Sequence, residues 1–132
     1  FFKSVGTIND TENQDPNSIF EIRDYTMEPK VLEDYLFWAK NYFIPFAETK
    51  IDLISFWGST GADAVVSGSK PFVPPNGQPN VTWVAKYKNR EARDAFYANL
   101  VDSNQEWAKV AAAHPNPEAY IQSNSRFFKS VK

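Results

Sequence analysis

The sequence predicts an α+β domain made of two split strand–helix–strand units, on three observations. Four short segments read as strands, with faces that alternate clearly in the first and third. Two longer segments repeat apolar residues at helical spacing. Clusters of Pro, Gly and Asn separate them. At 132 residues the chain is long enough for one hydrophobic core.

Residues 1–18 read as a tail and linker, because 7–18 is polar and contains Pro16; the domain itself is expected over 19–132. The first strand is predicted over 19–27. Glu21, Arg23 and Tyr25 fall on one face, and Phe20, Ile22 and Asp24 on the other. Glu28-Pro29 opens a helix, since proline suits a first helical turn. In that helix Leu32, Tyr35, Leu36, Ala39 and Phe43 form one apolar stripe, and Val31, Trp38 and Tyr42 a second. So wide an apolar surface predicts contact with more than the sheet, and Pro45 is expected to kink or end the helix.

The second strand is predicted over 52–58 and the third over 80–87, with Val81, Trp83, Ala85 and Tyr87 on one face. Between them, 59–79 is a Pro- and Gly-rich insertion, long enough for a lid or a subunit-binding arm. Asn89 is placed to cap a second helix that contains 90–100. Further helical turns follow over 104–113, until His114-Pro115-Asn116-Pro117 breaks them. The last strand is predicted over 120–128.

The resulting order, βαββαβ, gives a ferredoxin-like antiparallel sheet with both helices on one face. The other face needs a cover, and in a chain this short a second copy is the expected one, forming a homodimer.

Composition narrows the chemistry. A net charge of −2 and the lack of a basic patch argue against nucleic acid as a partner. No apolar run reaches the length of a membrane span. The absence of Cys removes disulfides and thiolate catalysis, and a single histidine, His114, removes a multi-His metal site. No hard-cation loop, Gly-rich phosphate loop or nucleophile elbow is present, so neither a metal nor a cofactor is expected. Aromatic residues are abundant, with 4 Trp, 6 Tyr and 11 Phe. They suit a core of large rings, an aromatic-lined pocket or a buried subunit interface.

Several motifs together resemble the NIPSNAP family of the dimeric α/β-barrel superfamily. They are the opening strand Phe20-Glu21-Ile22-Arg23-Asp24-Tyr25, the helix end Phe43-Ile44-Pro45 and the second strand Ser55-Phe56-Trp57-Gly58. Tyr87 with the later Arg93, Glu106-Trp107 and the closing Ser125-Arg126-Phe127-Phe128 continue the match, which spans roughly residues 19–130. The resemblance implies a homodimer whose two sheets form a barrel, with a cavity between sheet and helices in each subunit. Relatives in the superfamily include cofactor-free monooxygenases, isomerases, cyclases and haem proteins, so fold alone names no reaction. The family's third strand often carries a His and a Trp two residues apart before the Tyr; here those places hold Trp83 and Ala85. A mechanism that uses that His is not carried over.

Candidate site residues follow from side-chain chemistry. A histidine titrates near neutral pH, so His114 is a candidate general base, although histidine at such a breaker more commonly closes a helix C-terminus. Arg23 can hold an anion and Tyr25 can donate a proton; the alternative is a buried Glu21–Arg23 pair that fixes register. Lys86, Tyr87 and Arg126 are candidates to extend that set, and Trp57 and Trp83 to wall a flat apolar ligand. Asn9-Asp10-Thr11 and Asn80-Val81-Thr82 match the N-glycosylation pattern. The pentapeptide FFKSV occurs at 1–5 and at 127–131, which predicts that residues 1–5 end a preceding, similar domain in a longer precursor. A cytoplasmic or mitochondrial location is expected over a secreted one. The function expected is binding of a small apolar or aromatic molecule, with cofactor-free acid–base chemistry on it. The alternative is a non-catalytic interaction or structural domain.

Overall fold

The computed structural model describes residues 2–4, 16–102 and 105–131. All four predicted strands are present: β2 (Ile19–Met27), β3 (Asp52–Ser59), β4 (Val81–Tyr87) and β5 (Tyr120–Phe128). A fifth, β1 (Phe2–Ser4), extends the sheet. The order is β1-β3-β4-β2-β5, with every neighbouring pair antiparallel. Leaving out β1, this is the ferredoxin-like arrangement that βαββαβ predicts. Within the stretch read as a tail, Phe2 to Ser4 pair with Ser59 to Trp57 on the edge of the same sheet. The rest of that tail up to residue 15, including the pattern at Asn9, lies outside the described residues.

The helical layer comprises α1 (Pro29–Trp38), α2 (Ile44–Glu48), α3 (Arg90–Asp102) and α4 (Gln105–Ala112). Pro45 does not end the first helix. A wider π turn over Ala39–Phe43 precedes it, with the Ile44 amide bonded to the Ala39 carbonyl, and the chain then stays helical to Glu48. The wide turn removes the need for a donor at Pro45 and eases its ring past the preceding turn. Trp38 reaches beyond the sheet, as the wide apolar stripe predicts: its indole N–H donates to the Val110 carbonyl of α4 at 2.8 Å. Asn89 caps α3 through the Ala92 amide at 2.8 Å.

Alternation along β4 buries Val81, Trp83, Ala85 and Tyr87 and leaves Thr82, Val84 and Lys86 half-buried. Register then fixes the faces. Glu21, Arg23 and Tyr25 lie opposite Ala85, Trp83 and Val81 on the helix-covered side, whereas Phe20, Ile22 and Asp24 lie opposite Lys86, Val84 and Thr82 on the other. The core of Met27, Tyr35, Leu53, Phe56 and Val81 sits between sheet and helices.

Asn80 does a backbone's work at the end of β2. Its side-chain oxygen accepts the Met27 amide at 2.8 Å and its side-chain nitrogen donates to the Met27 carbonyl at 2.9 Å. Both ends of the amide that a glycan would modify are therefore engaged. No helix among the described residues is long and apolar enough to cross a membrane.

Candidate functional site

Among the hollows that the described residues form, two lie against opposite faces of the sheet. The larger, about 710 Å³, is an open groove on the helix-free side between the insertion (Gly61, Asp63, Pro74, Gln78) and the strand residues Asp24, Thr82, Asn124 and Arg126. The smaller, about 180 Å³, lies between sheet and helices, where the convergent chemistry is. From the sheet it is lined by Arg23, Tyr25, Trp83 and Tyr120. Tyr35, Trp38 and Phe43 line it from the first helical layer, and Phe96, Tyr97, Leu100 and Trp107 from α3 and α4. We place the candidate site in this smaller pocket, because few polar groups converge on an otherwise apolar, aromatic wall.

Its electrostatics begin at Glu21, which has no exposed surface. Arg93 of α3 grips both carboxylate oxygens, at 3.1 and 2.8 Å, and Arg23 adds a third bond at 3.1 Å. Burial alone would raise the Glu21 carboxyl; the Arg93 hydrogen bonds and the Arg23 charge outweigh it and hold it below its ordinary value. Arg93 is shared outward with Asp94 at 3.1 Å, and Asp94 also takes Arg90 at 3.0 Å.

Arg23 reaches from Glu21 to the pocket. Its Nε donates to the Tyr25 hydroxyl at 3.0 Å, and its Nη1 to Glu21 and to the Tyr97 hydroxyl, the latter at 3.2 Å. The rings of Tyr25, Trp83 and Tyr97 surround the guanidinium at 5.2–5.7 Å. Burial would push this guanidinium down, but the facing Tyr25 and Tyr97 hydroxyls and Glu21 raise it, so it is charged at every working pH. Burial pushes the Tyr97 phenol up to about 12.

The Tyr25 hydroxyl also accepts the Trp83 indole N–H at 3.1 Å. With both lone pairs engaged, it can only donate. Across the pocket, Tyr120 meets His114 at 2.9 Å. Because His114 Nδ1 accepts the Asn116 amide at 3.1 Å, the neutral ring carries its proton on Nε2 and donates it to Tyr120. Burial lowers the pKa of His114, which favours this neutral form. The Tyr35 ring meets Tyr120 edge-on at 5.8 Å, and burial raises both phenols.

A β-bulge aims Tyr120. Tyr25 pairs with Ser123 and Thr26 with Gln122, but Met27 pairs with Tyr120, so the register slips by one residue. Simple alternation back from Ser123 would turn Ile121 inward; instead Ile121 is exposed and Tyr120 faces the pocket.

Solved structures share this architecture. A NIPSNAP-like domain protein from Burkholderia xenovorans superposes with a TM-score of 0.65 at 15% identity, over 88% of this chain and 87% of that one. The fold is that of the NIPSNAP proteins. A NIPSNAP family protein from Agrobacterium tumefaciens superposes at 0.62 with 15% identity, over 95% of this chain and 94% of its own. A second from the same organism gives 0.61 at 13%, over 87% and 89%. No family profile matches the sequence, and no curated protein matches it.

Within this NIPSNAP-like fold the residues named from sequence divide by face. Arg23, Tyr25 and Trp83 line the pocket, and Glu21 stands directly behind Arg23. His114 stands behind the wall, one hydroxyl away through Tyr120. Tyr87 is buried on the helix side, outside the lining, against Phe96. Trp57, Lys86 and Arg126 do not extend the set. Register pairs Trp57 with Thr82, Lys86 with Phe20 and Arg126 with Ile22, all on the helix-free face. There Arg126 bonds to Asp24 at 2.8 Å, and Lys86 lies over the Phe20 ring.

Sequence reading did not assign Tyr35, Trp38, Tyr97, Trp107 or Tyr120 to the site. For Tyr97 a signal existed: it follows Arg93 by one helical turn, on the same face of α3. The insertion borders the opposite side of the sheet, so it does not form a lid over this pocket.

Proposed function

We propose that this NIPSNAP-like chain binds a small apolar or aromatic molecule in the helix–sheet pocket and performs cofactor-independent acid–base chemistry on it. One observation carries the reading: among the described residues, the polar groups that the sheet brings to this ring-lined hollow are a guanidinium, an indole N–H and two phenols, with no carboxylate. Tyr25 serves as the proton donor, Arg23 orients it and holds the reacting group, and His114 holds the Tyr120 hydroxyl in place beside it.

Native mass spectrometry of the purified protein tests binding. A retained small molecule is expected, and it should disappear in Leu100→Trp, which fills the pocket. On the compound so identified, Tyr25→Phe and His114→Ala should each abolish turnover while leaving the protein folded. An empty wild-type protein, or a molecule equally retained by Leu100→Trp, would remove the proposal.

The proposal includes a homodimer, in which the half-buried Phe20, Ile22 and Val84 of the helix-free face pack against a second copy. A second reading, a protein-interaction module, draws on the exposed Val65, Phe72 and Val73 of the insertion.

A further inference from the structure

The pocket's polar groups have a common polarity. Tyr25 has both hydroxyl lone pairs filled, by Arg23 and Trp83, and so presents a proton. Tyr120 accepts from His114, and it too has a proton to give. Arg23 has no acceptor capacity at all. Its Nε and Nη1 are engaged, while the described residues provide no acceptor for Nη2. Among the described residues that line the pocket there is no carboxylate to answer these donors.

Charge points the same way. Three guanidiniums, Arg23, Arg90 and Arg93, share two carboxylates, Glu21 and Asp94. The surplus is one positive charge. Arg90 and Asp94 are about half exposed and screened by water, whereas Arg23 is the member on the pocket wall. A half-buried, partly engaged cation within a ring of aromatic faces favours an anion at its open end.

Size sets the rest of the ligand. The pocket holds about 180 Å³, against roughly 150 Å³ for an engineered cavity that takes up benzene. One ring fits, with space for one small substituent. A single surplus charge matches a monoanion better than a phosphate dianion.

We propose that the site takes a one-ring aromatic monocarboxylate, its carboxylate received by Arg23 Nη2 and the Tyr25 hydroxyl and its ring enclosed by the aromatic wall. This rests on the pocket being the binding site, and the test separates the two ideas.

The test is titration of the full chain with benzoate and with benzyl alcohol at pH 7, followed by tryptophan fluorescence. Trp38, Trp83 and Trp107 line the pocket and report occupancy. Benzoate is expected to bind roughly tenfold or more tightly than its neutral analogue, the scale of one charge-assisted hydrogen bond. Arg23→Gln should erase that preference, bringing the benzoate affinity down to that of benzyl alcohol in the same variant. Arg93, which holds both Glu21 oxygens, is untouched by the substitution, and circular dichroism is the check on the variant's fold. The wild-type comparison stands even if the variant fails to fold. Equal affinity for the two compounds would overturn the anion proposal and leave the pocket reading intact. If neither compound changes the fluorescence, both ideas are overturned.

Discussion

Glu21 shows what a buried charge requires. It has no exposed surface, and both of its oxygens are occupied by guanidiniums. Removing one partner from such a cluster leaves the others desolvated and unpaired, at a cost of about 3–5 kcal/mol. Glu21→Gln is expected to lower stability by that order in urea denaturation, because Arg23 and Arg93 would then repel each other across a neutral amide. His114 makes a weaker, pH-linked contribution. Its folded pKa lies below the ordinary value of 6.5 because burial opposes the imidazolium. The unfolded chain therefore binds the proton more readily, and stability rises with pH through that window. Its contribution should be complete above the unfolded pKa and be lost as pH falls through the folded one. Denaturation midpoints measured from pH 8 down to pH 5 should show this loss, and His114→Phe should flatten that part of the curve.

At the scale of elements, the approach of α1 to β3 depends on Gly58. A Cβ there would lie 2.6 Å from Leu36 Cδ1, too close for an ordinary contact. The obstructing atom is the far end of a mobile side chain, so Gly58→Ala should cost about 1 kcal/mol, the low end for overpacking. In the Leu36→Ala background the same change should cost less, which a double-mutant cycle in urea measures. Strands and helices were legible in the sequence because their periods were clean. Val81, Trp83, Ala85 and Tyr87 all face the core as their alternation predicts. What was not legible depends on breaks in period. The π turn before Pro45 continues a helix that the proline should interrupt, and the bulge at Met27–Tyr120 turns a phenol inward that alternation turns outward. Neither leaves a mark in composition, since each is settled by the partner strand or the preceding turn.

For the whole molecule, the fold separates two kinds of surface. On the helix side, the aromatic residues divide between a closed core and a pocket that gathers Arg23, Tyr25 and Tyr120 from two strands. The helix-free side carries an ionic and apolar mixture, Asp24 with Arg126 beside Phe20 and Ile22, and the insertion runs along it. The strand pattern established Arg23 and Tyr25 as neighbours, but it could not show that α3 and α4 close over them. That closure comes from residues seventy and more positions away, such as Tyr97 and Trp107. Both hollows are large enough to admit a small ring, so location decides between them. The most direct measurement is the bromine anomalous signal from a crystal soaked with bromobenzene. We predict a single peak between Arg23 and Trp107; a peak confined to the groove beside Asp63 and Gln78, or none in either hollow, would contradict the account.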